Sequence, residues 1–339
     1  MLKHGLLVII TAGLGLLITP WMRKLAFGLG AVDEPGGRRV HLAQVPRFGG
    51  LAVLIAVLAV LSIGMLADRS LSEVFLGSAW GWGWLLVGAL IVAATGAVDD
   101  VRSLSPVLKG GLQVIAGAMA LVGGHSIIAL IDPFTGNPVE LGWLSTPLTL
   151  LWIVGITNAF NLIDGLDGLA AGAALIATVT VWAISLATGH LDVALLAAAL
   201  VGALAGFLYY NFNPASIFLG DSGSLFLGYV LSVLSLQVSR TGTTDVIILV
   251  PLLALGLPIL ETLLTILRRA LQALRVFRET PAQNKYRVFV TGVASLFRPD
   301  QDHIHHRLVA WGFTQRRAVL VLYGVCAMLG ISAFLAIAG

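Results

Sequence analysis

Five aspartates have the type and spacing that phosphate chemistry uses. Asp99 and Asp100 are adjacent, just after the small-residue stretch AATGAV. Asp164 and Asp167 fall in NAFNLIDGLDGLAAG, residues 158–172, and Asp221 in FNPASIFLGDSGS. If these carboxylates converge, their mutual repulsion calls for cations, and a hard divalent ion is the economical solution. Mg2+ takes one or two carboxylates and leaves positions open for substrate phosphates. Each motif also has a plainer reading. The Asp99–Asp100 pair could be the solvated end of an apolar helix. Asn161, Asp164 and Asp167 recur every third residue, which predicts one polar face if the segment is helical. A single Asn or Asp would suffice as a helix cap, whereas three in register exceed that need. Gly165 and Gly168 follow the two aspartates and permit close backbone approach. Asp221 reads equally as the N-cap of the apolar run behind it, and free amides there suit a phosphate. Asn211 and Phe218 flank it, able to hydrogen-bond and to stack on a flat base. His303, His305, His306 and Arg307 have no cysteine and no HExxH beside them. They suit phosphate or sugar hydroxyls, or form a bland basic loop.

These residues must be positioned by membrane-spanning elements. The chain is 58% hydrophobic and 11% charged, against about 25% charged in soluble domains. Apolar runs long enough to cross the ~30 Å hydrocarbon layer recur from end to end. Hydropathy predicts ten spans, near 5–22, 48–66, 80–98, 108–124, 146–160, 168–188, 192–209, 223–238, 246–266 and 318–338. The expected fold is therefore an all-α polytopic bundle, one integral domain over residues 1–339, with no room for a sizeable soluble domain. The first run lacks a clear cleavage site and reads as retained. Residues 268–317 form a long loop with an amphipathic segment suited to the membrane surface and to anionic head groups. Loops after odd-numbered spans hold seventeen of the twenty Lys and Arg. By the positive-inside rule those loops are cytoplasmic and both termini face outward. Every polar motif falls on that side, whereas the outer loops carry scattered acids without pattern. An Asp at mid-span costs about 2.5–3.5 kcal/mol on insertion scales, so its placement at a span end is inexpensive. No run resembles a nucleic-acid-binding arm, and the lone Cys326 reads as a packing residue.

Taken in order, the motifs resemble a known family: the polyprenyl-phosphate N-acetylhexosamine-1-phosphate transferases (WecA/MraY-like). The resemblance runs from about Val32 to Trp311. It rests on D-x-P-x-x-R-x-x-H…PRFGG at 33–50, VDD with Lys109 and Gln113 downstream, NAFNLIDGLDGLAAG, NFNPASIFLGDSGS and HIHHRL. It implies a bundle of ten or eleven helices with a cytoplasmic site. It also implies transfer of a sugar 1-phosphate from a UDP-sugar to undecaprenyl phosphate, with release of UMP and a need for Mg2+, Mn2+ serving as a substitute. On matching positions it implies Asp221 and Asn161 as metal ligands and Asp99 and Asp100 as an essential pair near the lipid phosphate. Asp164, Asp167, Asn211 and Phe218 then form the nucleotide side, and Lys109 joins the substrate-binding set. His303, His305, His306 and Arg307 contact sugar and phosphates. A homodimer in the bacterial cytoplasmic (inner) membrane is expected on the same basis.

HIHHRL resembles the branch that uses UDP-GlcNAc or a related UDP-HexNAc. The peptidoglycan branch, acting on UDP-MurNAc-pentapeptide, usually has three consecutive histidines, and Ile304 interrupts them here. Glu261 points the other way, since the sugar-transferring branch more often has Asp there. The stretch between Arg269 and Phe297 is longer than that branch usually has. The expected chemistry is a single displacement at the β-phosphorus, with a covalent aspartyl-phosphate route as the other option. Two rivals are weaker. An ion-coupled transporter would place its acids near mid-membrane, often in paired repeats. A CDP-alcohol phosphotransferase would have Ala-Arg after the first Asp-Gly, where this chain has Leu166 and Asp167.

Overall fold

The computed structural model describes residues 2–33, 44–77, 79–131, 137–239, 249–279 and 304–338. The described residues are almost wholly helical. Helix α1 (Leu2–Leu29) leads into a two-residue hairpin, β1 (Val32–Asp33) against β2 (Val45–Pro46). Helices α2 (Gly49–Ala67), α3 (Arg69–Gly77), α4 (Ala79–Val101) and α5 (Pro106–Val122) follow. A second hairpin, β3 (Ala129–Ile131) with β4 (Pro138–Glu140), precedes α6 (Ser145–Ile163), α7 (Leu169–Thr188), α8 (Leu191–Asn211) and α9 (Gly220–Val238). The last elements are α10 (Leu249–Ala254), α11 (Gly256–Glu279), α12 (Ile304–Ala310) and α13 (Gln315–Ala338).

Among the described residues, eight helices are long and apolar enough to cross a membrane. They match eight of the ten predicted spans. The fourth, α5, is apolar but shorter. It starts where Ser105 caps it by accepting from the Leu108 amide at 3.3 Å, with Pro106 in the first turn, a combination that favours helix entry. The ninth expected span is a correction. It is two helices, α10 and α11, interrupted at Leu255, and α11 runs on to Glu279. The amphipathic segment therefore begins as a continuation of that helix rather than as a separate loop element.

The bundle is organised around α9. Its apolar window is 89% buried inside the protein, against 17% for α13, so α9 is the hub and α13 the periphery. Helices α2, α4, α6 and α7 all pack on α9. A helix apolar all round is expected at such a position. Two of these approaches depend on glycine. A Cβ on Gly50 would sit 1.9 Å from Gly223 Cα, and one on Gly96 would sit 2.3 Å from the Asp221 carbonyl. Small residues at these crossings let α2 and α4 press their backbones onto the first turn of α9, as in membrane helix packing generally. The effect is local and consequential: it draws three helix ends around Asp221.

Candidate active site

Asp221 lies in the first turn of α9, one residue inside Gly220, where the chain turns with φ +74°. It is not the N-cap that the sequence suggested, because the helix starts earlier; Leu219 occupies that position and makes no side-chain cap. The cap comes from another helix. Asp100, at the end of α4, accepts from the Asp221 amide at 2.9 Å and the Ser222 amide at 3.1 Å. A carboxylate on two free amides at a helix N-terminus is a favourable charge-assisted arrangement. Asp100 is only 7% exposed and faces α9 rather than open space. The predicted pair therefore divides, one member holding α9 in place and the other entering the cluster.

That other member is Asp99. Its Oδ1 accepts from the Leu104 amide at 2.6 Å, and its Oδ2 from Lys109 Nζ at 3.1 Å. Lys109, in the first turn of α5, also donates to Asp221 Oδ2. One ammonium group thus ties together carboxylates from α4 and α9. From α6, Asn161 Nδ2 donates to Asp221 Oδ1 and to Ser224 Oγ, both at 2.9 Å. A turn earlier on the same helix, the amides of Asn158 and Gln113 bond to each other, Asn158 Nδ2 donating at 2.5 Å, which joins α6 to α5.

The 161–167 segment corrects the expectation of one helical polar face. Helix α6 ends at Ile163, Asp164 follows as its C-cap residue, and α7 begins at Leu169 after Gly168 turns with φ +79°. The three polar residues go to different places. Asn161 meets Asp221. Asp164 is half-buried, and burial, followed by the negative fields of Asp221 and Asp100, raises its pKa well above the ordinary carboxylate value. Asp167 is 3% exposed. It accepts from Asn213 Nδ2 at 2.9 Å and the Ala215 amide at 3.0 Å. It holds the 212–219 loop instead of opening to the cluster.

Asn211 is likewise turned inward. Its Nδ2 donates to the Ile217 carbonyl at 3.0 Å, and the residue is buried, so the amide is not presented to a ligand as expected. Phe218 is half-buried and fixed by its backbone: its amide donates to the Pro46 carbonyl at 2.7 Å, and its carbonyl accepts from Gly49 at 3.0 Å. The PRFGG segment is thereby stitched along residues 218–219, leading directly to Asp221. Arg47, within that segment, was given no individual role from sequence. It pairs with Asp33 and contributes a positive field at Asp164. PRFGG carried the signal; only the fold joins it to the aspartates.

Arg307 is exposed on α12, and His305 and His306 contribute backbone to that helix. His303 lies outside the described residues, as do the side chains of His305 and His306. Glu261 of α11 is buried and accepts from the Ile304 amide at 3.2 Å, so it anchors the start of the HIHHRL helix.

Among the described residues no three His, Cys, Asp or Glu side chains group tightly enough to hold an ion by themselves. The donors beside Lys109 are all hard oxygens, from Asp99, Asp221 and Asn161. They suit a cation that needs few protein ligands and keeps water and phosphate oxygens, as Mg2+ does.

An apolar groove of about 300 Å³ is lined by Leu148, Trp152, Gly155 and Ala159 of α6 and by Ile259 and Leu263 of α11, among others. Ala159 lies two residues before Asn161, so the groove rises to the level of the polar end of α6, on the helix face turned away from Asn161.

The fold and the cluster define a class: an all-α, multi-pass membrane protein with one acidic, oxygen-rich site at one end of its bundle. Comparison with known proteins narrows the class. The family model described as glycosyl transferase family 4 matches residues 82–239. A probable undecaprenyl-phosphate N-acetylglucosaminyl 1-phosphate transferase of Bacillus subtilis is 41% identical over 318 residues, covering 94% of this chain and 80% of that protein. A decaprenyl-phosphate N-acetylglucosaminephosphotransferase of Mycolicibacterium smegmatis is 35% identical, covering 90% of this chain and 75% of that protein. A phospho-N-acetylmuramoyl-pentapeptide-transferase of Listeria monocytogenes is 31% identical, covering 91% and 89%. The chain belongs to this family of polyprenyl-phosphate sugar-phosphate transferases.

Proposed function

We propose that the chain transfers N-acetylglucosamine 1-phosphate, or a related N-acetylhexosamine 1-phosphate, from a UDP-sugar to undecaprenyl phosphate and releases UMP. The observation that carries this reading is the Asp99–Lys109–Asp221–Asn161 cluster at the ends of apolar, membrane-length helices. A cluster at span ends lies where the phosphate of a membrane lipid meets a water-soluble nucleotide. The higher identity to relatives named for N-acetylglucosamine than to the muramoyl-pentapeptide relative supports the sugar assignment, as does HIHHRL. The basic loops favour a site on the cytoplasmic face of the bacterial inner membrane.

In the reaction, an oxygen of the polyprenyl phosphate attacks the β-phosphorus of the UDP-sugar. The bond from that phosphorus to the bridging oxygen breaks, and UMP leaves with the bridging oxygen. A phosphate monoester has a second pKa near 6, so the attacking group is largely dianionic at neutral pH and no strong base is required. Lys109 supplies positive charge where two polyanions must meet, and Asp99 and Asp221 hold its ammonium group in place. Asp100 keeps the first turn of α9 fixed, so that Asp221 is preorganised. Asp221 and Asn161, with Asp99 beside them, are the residues to hold Mg2+ or Mn2+. When bound, the ion neutralises charge on the diphosphate and on departing UMP. Arg47 and the HIHHRL segment supply further positive charge and sugar contacts.

The test is UMP release by purified protein in detergent, given undecaprenyl phosphate, UDP-GlcNAc and Mg2+. Turnover should require lipid and metal and fall about a thousandfold in Asp221→Ala, the scale for removing a charge-stabilising group. Turnover with UDP-MurNAc-pentapeptide alone would reassign the sugar. Silence with every UDP-sugar, from folded protein, would reject the reading.

A further inference from the structure

The turn that carries Asp164 is held from outside by a helix that the reaction itself does not use. Residues 164–168 must reverse the chain between α6 and α7, and they end at Gly168 in the left-handed region. Its carbonyl accepts from two donors, the Gly172 amide at 2.9 Å and the Tyr323 hydroxyl of α13 at 2.5 Å. The Tyr323 ring covers Gly172 so closely that a Cβ there would lie 1.9 Å from the hydroxyl oxygen. The same helix grips the other side of the turn. Asn213 Nδ2, which donates to Asp167, also donates to Gln315 Oε1 at 3.0 Å. Arg316 lies 5.2 Å over the Phe212 ring. Three residues of α13 thus touch both segments that lead into the acidic cluster, the 164–168 turn and the 212–219 loop.

Packing alone does not account for these contacts. Elsewhere α13 is the least buried of the spanning helices, yet its first turns place polar groups on the two site loops. Helix α12, which carries Arg307, connects to α13 through only four residues, 311–314. The helix that follows the HIHHRL segment is therefore the one that grips the aspartate turn.

We propose that Tyr323, with Gln315, is a positioning residue of the transfer site: α13 clamps the 164–168 turn and so keeps Asp164 beside Asp221. This rests on the transferase reading for its kinetic consequence, but its structural part can be measured without turnover. Tyr323→Phe removes one hydroxyl and keeps the ring against Gly172, so packing is retained. In this variant kcat should fall about five- to tenfold, the scale of one lost hydrogen bond, with KM for UDP-sugar and lipid within twofold. Gln315→Ala, at a partly exposed position, should lower kcat in the same sense, and Gln315→Glu, which keeps the acceptor oxygen, should restore it. Hydrogen exchange of the amides of residues 165–169 should speed up about tenfold in Tyr323→Phe, with exchange in the middle of α9 unchanged. Wild-type exchange at 165–169 in Tyr323→Phe would overturn the clamp whether or not the protein turns over. Faster exchange with unchanged kcat would overturn its role in the reaction. An inactive wild type with faster exchange in the variant would keep the clamp and reject the transferase reading.

Discussion

Two apolar grooves among the described residues are of similar size, and one rises to the level of the acidic cluster along its helix while the other stops short of it. The first, about 300 Å³, follows α6 and α11 to Ala159, two residues and about 3 Å along the helix from Asn161. The second, about 250 Å³, lies among α2, α4, α8 and α9 and is lined by Leu54, Leu58, Trp82, Gly83, Ala89 and Phe226, among others. Its nearest α9 residue, Phe226, is five positions past Asp221, about 7 Å along a helix, and Ala89 is ten before Asp99, about 15 Å. Neither size nor apolar lining distinguishes the grooves. What differs is that one of them rises to the polar end of its helix, and an amphiphile needs both ends satisfied.

The comparison breaks most sharply with a bulky residue at a matched position in each groove. Gly155 lines the first and Gly83 the second, and a Cβ at either meets nothing within 4 Å. Gly155→Trp should displace three to four carbons of the prenyl tail, about 3 kcal/mol at ~0.8 kcal/mol per buried carbon. The value of kcat/KM for undecaprenyl phosphate should then fall about a hundredfold. Gly83→Trp should stay within about twofold. Equal losses in both variants would remove the distinction between the grooves.

The polar end can be tested through two carboxylates with opposite effects on stability. Asp100→Asn removes the charged cap from α9 and turns an amide donor toward backbone N–H groups. It should cost about 1–3 kcal/mol, read as a lower unfolding temperature in detergent. Asp164→Asn should act the other way. Because its folded pKa is raised, the folded chain holds this proton more tightly than the unfolded chain. Its contribution is favourable below the ordinary carboxylate pKa and is lost as pH rises toward the folded value. Without metal, the asparagine variant should therefore unfold at a higher temperature than wild type at pH 7–8, with a smaller difference near pH 4. It should also lose turnover, as expected where a site stores unfavourable charge.

Much of this was legible in the sequence because it was local. Span length pointed to the bundle, and recurring Asp and Asn pointed to residues that gather around Asp221. What was hidden is pairing across distance. Asp100 caps a helix that starts some 120 residues later, and nothing in VDD distinguishes a capping carboxylate from its neighbour. The period-three spacing of Asn161, Asp164 and Asp167 suggested a continuous helix. Helix α6 instead ends at Ile163 and Gly168 turns the chain into α7, so the three side chains diverge. The inward turn of Asn211 is invisible in composition, because loop geometry is what aims its amide at the Ile217 carbonyl. The break at Leu255 carried no polar signal at all in an apolar run.

The most direct measurement follows the phosphorus. UDP-GlcNAc labelled at the β-phosphorus, incubated with the protein, undecaprenyl phosphate and Mg2+, should deliver its label to the organic-soluble lipid while unlabelled UMP accumulates in equal amount. Label leaving in UDP, with sugar alone on the lipid, would mean that the bond broken is the glycosidic one and would contradict phosphoryl transfer at this site.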